Sequence, residues 1–110
     1  MKAKSLDTAN AVGMLPGITR RTLARNHELM LCHFTLEKGA QIPLHQHRPS
    51  QIGFVLSGKV RFKGNTDEDN FEVGPGESYV IDPEVVHGGE AVEDTVFIEV
   101  FSPSRPEYDD

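Results

Sequence analysis

Apolar and polar residues alternate along most of this chain, in short runs that turn residues separate. In the segment 29–37, every second residue from Met30 to Leu36 is apolar, whereas His33 and Thr35 lie at positions between them. This period of two is typical of a strand with one buried face. On the same basis we predict strands at 18–24, 29–37, 41–47, 51–63, 70–73, 78–82, 85–91 and 95–102.

Glycine and proline recur at short intervals between these runs, for example at Ser57-Gly58 and Gly74-Pro75-Gly76. No segment shows a helical apolar stripe with capping residues. Several short strands at this spacing, separated by turn signals, are typical of a sandwich or a closed barrel. We therefore predict an all-β protein with a sandwich or jelly-roll architecture.

The length of 110 residues is common for one domain. We expect residues 18–110 to form a single barrel domain and residues 1–17, which end in a Leu-Pro-Gly turn, to form an N-terminal arm. The arm could be a loose segment, an edge strand or a dimer contact. The tail from Pro103 contains two prolines and is interpreted as an exit from the barrel.

The formal charge of −6, from 17 acidic and 11 basic residues, argues against a nucleic-acid partner, because phosphate binding needs a clustered basic face. A small anionic ligand is compatible with this charge, since one arginine or metal ion dominates locally. The lone Cys32 cannot form an internal disulfide. No signal-peptide pattern or membrane-length apolar run is present. We therefore expect a cytoplasmic protein without a membrane partner, and a homodimer, the commonest soluble assembly.

Four residues have the chemistry and the spacing of a metal site: His45, His47, Gln51 and His87. The first two histidines lie two apart, so on a strand both imidazoles point to the same face. The glutamine follows four residues later, and the third histidine should lie on a neighbouring strand. The alternative is that these side chains only line the barrel and are satisfied by hydrogen bonds. His27 and His33 lie outside this pattern and are interpreted as surface or turn residues.

Here the chain resembles the cupin superfamily. Its first sequence motif contains a glycine, a His-x-His pair, an acid and a second glycine, and its second motif contains a glycine followed by a proline, another glycine and a histidine. The residues that match these motifs are Gly39, His45, His47, Gly58, Gly76 and His87. Gln51 stands where most members carry glutamate, and Glu84 replaces the inner glycine of the second motif. The motif proline is displaced to Pro83, and Ala91 stands in place of the asparagine. The resemblance covers roughly residues 29–102.

The resemblance implies a double-stranded β-helix, or jelly-roll barrel, that holds one divalent metal ion through His45, His47, Gln51 and His87. Imidazole and amide ligands suit Mn, Fe, Ni, Co or Zn, so the identity of the metal stays open. Three neutral imidazoles and a neutral amide leave the ion its full charge, which favours an anionic ligand. This donor set favours Lewis-acid chemistry over oxygen activation.

Further matches lie in Gly17-Ile-Thr-Arg-Arg, Phe34-Thr-Leu-Glu-Lys-Gly-Ala, Val86-His-Gly and Glu99-Val-Phe-Ser-Pro-Ser-Arg105. Together they resemble the pectin-degradation cupins of the KdgF type, in which glutamine is the regular fourth ligand. Those proteins convert 4,5-unsaturated uronates into linear 5-keto-4-deoxyuronates. The resemblance therefore implies a metal-dependent, isomerase-like ring-opening enzyme with a small anionic, sugar-like substrate.

In the KdgF type, an acid, a phenylalanine and an arginine near the last strand serve the substrate. Phe101 and Arg105 match, whereas Glu99 replaces an aspartate. Glu99 could move protons as general base and acid, and Arg105 could hold the substrate carboxylate, with Phe101 beside it. The alternatives are that Phe101 is a core residue, Glu99 a solvated acid and Arg105 a surface residue of the tail.

Two other functions are compatible with the pattern. One is an iron-dependent cupin dioxygenase that acts on a small polar substrate. The other is a non-catalytic barrel that binds a sugar or an effector. Because one fold serves many activities, the fold alone does not decide among them.

Overall fold

The structure, a computed structural model of residues 1–110, is built almost entirely from strands, as the sequence predicts. There are two one-turn 3₁₀ helices, Asp67–Asp69 and Pro106–Tyr108, and neither is long and apolar enough to cross a membrane. The ten strands are β1 (Ala11–Leu15), β2 (Ile18–Arg25), β3 (Met30–Leu36), β4 (Gln41–His45), β5 (Ser50–Ser57), β6 (Val60–Lys63), β7 (Phe71–Val73), β8 (Ser78–Ile81), β9 (His87–Ala91) and β10 (Thr95–Ser102).

The strands form two antiparallel sheets, one of six strands in the order β1-β2-β3-β10-β5-β8 and one of four in the order β4-β9-β6-β7. β10 lies between β3 and β5, and β9 lies between β4 and β6, so strands that are distant in sequence pair within each sheet, as in a jelly-roll. Buried aromatic side chains join the two sheets. The ring of Phe62 on β6 lies 4.4 Å from that of Tyr79 on β8 and 6.4 Å from that of Phe97 on β10, measured between centroids.

One predicted strand is two strands in the structure. The segment 51–63 divides into β5 and β6, which lie in different sheets. Gly58 makes the turn between them with a φ of +83°, a backbone conformation that side-chain-bearing residues rarely adopt. The turn signal at Ser57-Gly58 marks the break, but the apolar pattern continues on both sides of it because both strands contribute buried residues to the same core.

The alternation predicted for β3 is confirmed, since Met30 and Leu36 are buried and Leu31 and Thr35 are partly exposed. The surface position expected for His33 is wrong, because only 9% of this residue is exposed. β3 lies between β2 and β10, and the register partners of His33 on these strands, Arg21 and Ile98, lie on either side of it. His27 lies in the exposed turn between β2 and β3, as expected.

Both ends of the chain pack on the barrel. Within the predicted N-terminal arm, β1 pairs antiparallel with β2 as the edge strand of the larger sheet. The C-terminal tail folds back rather than leaving the barrel. Thr22 Oγ1 donates a hydrogen bond to the carbonyl oxygen of Tyr108 at 2.6 Å, Arg25 forms an ion pair with Asp109 at 3.2 Å, and Arg20 forms one with Asp110.

A comparison of Gly58, in the β5–β6 turn, with Gly39, in the β3–β4 turn, shows what constrains the β5–β6 turn. Gly58 and Gly39 both have positive φ values, +83° and +88°. A Cβ at Gly58 would lie 2.2 Å from the carbonyl oxygen of Asp94, whereas a Cβ at Gly39 would meet nothing within 4 Å. Gly39 therefore isolates the cost of the backbone conformation from the cost of the steric clash.

We predict that Gly39→Ala lowers the free energy of unfolding by about 1 kcal/mol. Gly58→Ala should lower it by about 2 kcal/mol more, because backbone atoms would have to move. Urea denaturation of both variants measures the difference. Equal losses would show that the contact with Asp94 does not constrain the turn.

Candidate metal centre

The topology brings three histidines from separate segments together. His45 ends β4 and His87 begins β9, and the two residues are register partners in the smaller sheet. His47 lies in the loop that follows β4. The centroids of the His45 and His87 rings are 4.3 Å apart, and one ring nitrogen of each of the three histidines lies within 4.8 Å of the others. Three imidazoles at this spacing could hold one ion.

Each of the three rings has its Nδ1 atom fixed by the backbone. The Nδ1 atoms of His45, His47 and His87 lie 2.9, 2.8 and 2.8 Å from the carbonyl oxygens of Pro43, Pro49 and Val85. A carbonyl oxygen only accepts, so Nδ1 donates the proton and Nε2 keeps its lone pair. Metal-binding histidines are commonly oriented in this way.

Burial keeps two of these rings neutral. Desolvation, with a smaller contribution from the charge of Arg105, holds the pKa of His47 below its usual value. Burial lowers the pKa of His87 to about 4, although its bond to the Val85 carbonyl opposes the shift. The Nε2 atom of His47 is buried and has no hydrogen-bond partner. An unpartnered lone pair on a neutral ring fits a metal-ligating imidazole.

Gln51 on β5 lies beside this cluster and is 5% exposed. Its Nε2 atom donates a hydrogen bond of 2.7 Å to Oε2 of Glu99 on β10. Gln51 is also close enough to His47 to raise the pKa of that ring against the larger effect of burial. The nitrogen end of the amide is therefore occupied by Glu99, which leaves the oxygen end for the histidine side.

Glu99 is a buried acid, 5% exposed, so its interpretation as a solvated residue is wrong. Its Oε2 atom accepts hydrogen bonds from Tyr79 Oη at 2.5 Å and from Gln51 Nε2 at 2.7 Å. Burial raises the pKa of Glu99 to about 7, against the hydrogen bonds from Tyr79 and Gln51 and the charge of Arg105. Both hydrogen bonds go to the same oxygen, so the other carboxylate oxygen has no protein partner.

The two remaining candidates lie next to each other. Phe101 is 1% exposed and belongs to the apolar core, and its ring centroid lies 6.0 Å from that of His47. Arg105 is largely covered, and its guanidinium lies 5.1 Å from the Phe101 centroid and 4.2 Å from that of Tyr108. Arg105 pairs with Glu107 at 3.5 Å, and its buried Nε has no partner.

Most of the candidate residues line one cavity of about 250 Å³. The polar side chains that line it include His45, Gln51, His87, Glu99 and Arg105, and much of the remaining wall is apolar. Phe101 and Tyr108 also line it, and the tail therefore supplies part of the wall. His47 belongs to the histidine cluster but does not line the cavity.

Sequence reasoning missed Tyr79, Tyr108 and Arg20. Tyr79 lies on a predicted strand but in no motif, and only strand pairing brings it to Glu99. Tyr108 reaches the site because the tail folds back. Its ring centroid lies 4.2 Å from the guanidinium of Arg20 and 4.2 Å from that of Arg105. No local sequence signal indicates these long-range contacts.

Glu84, which replaces the inner glycine of the second cupin motif, keeps a backbone conformation typical of glycine. Glu84 has a φ of +65°, the left-handed conformation that a glycine adopts without strain. Its backbone N–H donates a 2.8 Å hydrogen bond to the carbonyl oxygen of His47, which ties the loop of His47 to the segment that leads into His87. The turn therefore supports two of the histidines despite the change of residue.

A jelly-roll with three imidazoles beside an internal cavity defines the cupin class. The cupin domain family model matches residues 32–101, more than half of the chain, and the chain therefore belongs to the cupin family. Among curated proteins, none matches the sequence.

Solved structures support the same family. The chain is 28% identical to an RmlC-like cupin from Shewanella frigidimarina, with a TM-score of 0.89 over 98% of this chain and 96% of that one. It is also 28% identical to KdgF from Halomonas sp., with a TM-score of 0.88 over 97% of each chain. The polyketide cyclase RemF from Streptomyces resistomycificus is 25% identical, with a TM-score of 0.81 over 96% of this chain and 82% of that one. The relation to KdgF-type cupins expected from the sequence is confirmed.

We predict that His47→Ala weakens binding of a divalent metal at least about 100-fold, since removal of a ligand should cost more than removal of an outer-shell contact. His27→Ala is the matched control, because this residue is exposed and lies outside the cluster. Elemental analysis of protein purified without a metal-binding tag measures the occupancy. Equal metal content in the His47→Ala variant and the wild type would contradict a site at this cluster.

Proposed function

We propose that this protein is a metal-dependent enzyme that opens 4,5-unsaturated uronates to linear 5-keto-4-deoxyuronates, as in pectin degradation. The observation that carries the proposal is the cavity of about 250 Å³, which is lined by two histidines of the three-histidine cluster, a buried acid and a largely covered arginine. The similarity to KdgF over 97% of both chains supports the same function.

His45, His47, Gln51 and His87 would hold one divalent ion, with Mn, Fe, Ni, Co and Zn all compatible with these donors. The free Nε2 lone pairs and the unpartnered Nε2 of His47 fit this role. When bound, the ion supplies Lewis-acid stabilisation of negative charge on a substrate oxygen. Because the four protein donors are neutral, they cancel none of its charge, which favours an anionic sugar-like substrate.

Arg105 binds the substrate carboxylate in this proposal. Its guanidinium is stacked on Tyr108 at 4.2 Å, which limits its orientations, and its buried Nε lacks a partner. A guanidinium donates two parallel hydrogen bonds to a carboxylate, an arrangement that a lysine does not reproduce. The Phe101 ring packs against the Arg105 guanidinium and forms part of the apolar wall of the cavity, next to the proposed sugar site.

Glu99 moves the proton. Ring opening takes a proton from the anomeric hydroxyl as the ring C1–O bond breaks and the ring oxygen leaves as an enolate. The enolate then takes up one proton at C4, so no proton is gained or lost and the overall change is an isomerisation. One carboxylate oxygen of Glu99 accepts no hydrogen bond from Tyr79 or Gln51. This oxygen is free to take the proton from the hydroxyl and to deliver one to C4.

The dioxygenase and the non-catalytic binding functions are the alternatives to this proposal. Oxygen consumption with added iron would favour the dioxygenase. Stable binding of a uronate without turnover would favour the binding protein. The cytoplasmic location and the homodimer expected from the sequence stay predictions, and light scattering of the purified protein tests the dimer.

The metal-loaded protein should accelerate loss of the ultraviolet absorbance of a 4,5-unsaturated uronate, because ketonisation removes the double bond conjugated to the carboxylate. No oxygen should be consumed. The assay uses galacturonate-derived and mannuronate-derived unsaturated sugars, with the His47→Ala variant and buffer as controls. If both sugars decay at the buffer rate, the uronate function is wrong.

Substitutions at Arg105 and Glu99 should separate binding from proton transfer. Arg105→Ala should raise KM by about 10- to 100-fold, because it removes charged hydrogen bonds made before and during the reaction. Glu99→Gln should lower kcat by about 100- to 10,000-fold, because it removes the proton-transfer group. Steady-state kinetics measures both constants, and Arg105→Lys controls for charge without the forked geometry. A change of kcat alone in Arg105→Ala would contradict the carboxylate role.

A further inference from the structure

The orientation of the Gln51 amide decides what it offers to the histidine cluster. With the oxygen towards the cluster, Gln51 presents a metal ligand; with the nitrogen towards it, Gln51 presents only donors. In the structure, the nitrogen donates to Oε2 of Glu99 at 2.7 Å. Oε2 also accepts the hydroxyl proton of Tyr79 at 2.5 Å. An oxygen that accepts the Tyr79 proton has none of its own to donate, so only the nitrogen end of Gln51 can form a hydrogen bond with it.

Tyr79 reaches Glu99 because a glycine lies between them. Gly53 on the middle strand β5 is the register partner of Tyr79 on β8 and of Glu99 on β10. A Cβ at Gly53 would lie 2.2 Å from Cζ and 2.3 Å from Oη of Tyr79. The phenol ring therefore lies across Gly53, and its hydroxyl contacts a carboxylate two strands away. Any larger residue at position 53 would displace it.

We propose that Glu99 is a positioning residue for Gln51, turning the amide oxygen towards the histidine cluster, and that Tyr79, lying across Gly53, fixes Glu99 for this role. The proposal rests on the metal site of the proposed function but not on its substrate. It gives the two oxygens of Glu99 separate tasks. Oε2 orients the ligand, while the other oxygen is the one assigned to proton transfer.

The geometry predicts different effects for two substitutions at position 99. Glu99→Gln keeps an oxygen that can accept from both Tyr79 and Gln51, although it loses the charge. Glu99→Leu keeps similar bulk but removes every acceptor, so the Gln51 amide is no longer held. Tyr79→Phe keeps the ring and its packing against Phe62, 4.4 Å away between centroids, and removes only the hydroxyl.

The experiment measures the affinity of each purified variant for Co²⁺ by competition with a chromophoric chelator. Glu99→Leu should bind Co²⁺ about 10- to 100-fold more weakly than wild type, the usual cost of losing an outer-shell contact. Glu99→Gln should stay within about threefold of wild type, and Tyr79→Phe should lie between the two. Thermal unfolding of the metal-free proteins identifies any variant that fails to fold.

A double-mutant cycle separates positioning from general damage. If Glu99 acts through Gln51, Glu99→Leu should have no further effect on Co²⁺ affinity in a Gln51→Ala background. The proposal is overturned if the loss is the same in both backgrounds, if folded Glu99→Leu binds like wild type, or if Glu99→Gln loses as much as Glu99→Leu. If the wild type binds Co²⁺ but does not convert a uronate, only the proposed uronate function is wrong. If the wild type binds no Co²⁺, both the proposed function and the positioning role of Glu99 are wrong.

Discussion

β10 pairs with β3 on one side and with β5 on the other, and these two pairings join the halves of the larger sheet. β10 is the last strand in the sequence but lies in the middle of the larger sheet. Its alternate residues point into the core, so the alternation that buries Phe97 and Phe101 also buries Glu99. The cost of placing an acid there is offset by the two donors that converge on it, Tyr79 and Gln51. One strand thus sets both the packing of the barrel and the polarity of the cavity.

The cavity does not share the large negative charge of the whole chain. The formal net charge is −6, yet the ionisable side chains of the cavity wall include a single acid, Glu99, beside the cation of Arg105 and two imidazoles, those of His45 and His87. Tyr108 contacts the guanidinium groups of both Arg20 and Arg105, and Arg20 is 2% exposed. Its ion pair with Asp110 anchors the tail. The tail therefore holds part of the cavity wall, including the arginine proposed to bind an anion, in place.

The strand pattern could be predicted from short-range periodicity, and the alternation in β3 identified its buried side. The histidine cluster could be predicted from the His-x-His pair and the motif spacing of His87, although His47 lies in the loop after β4 and not on the strand. The turn signal at Ser57-Gly58 marks the division of 51–63, but the change of sheet there, the burial of His33 and the return of the tail could not be predicted. Each depends on which strands become neighbours, and an apolar pattern contains no information about the partner that covers it.

Turn residues, strand alternation and motif spacing are local properties, so the sequence is sufficient to predict the fold class, the cupin relation and the residues able to offer metal ligands. Three features depend on the folded sheet: which oxygen of Glu99 is occupied, which end of Gln51 contacts Glu99, and how Tyr79 crosses Gly53 to reach Glu99. These contacts join β5, β8 and β10, whose residues are up to 48 positions apart in the chain. Only the antiparallel registers of the folded sheet bring such positions within hydrogen-bond distance, because residues that far apart have no fixed distance until the strands pair.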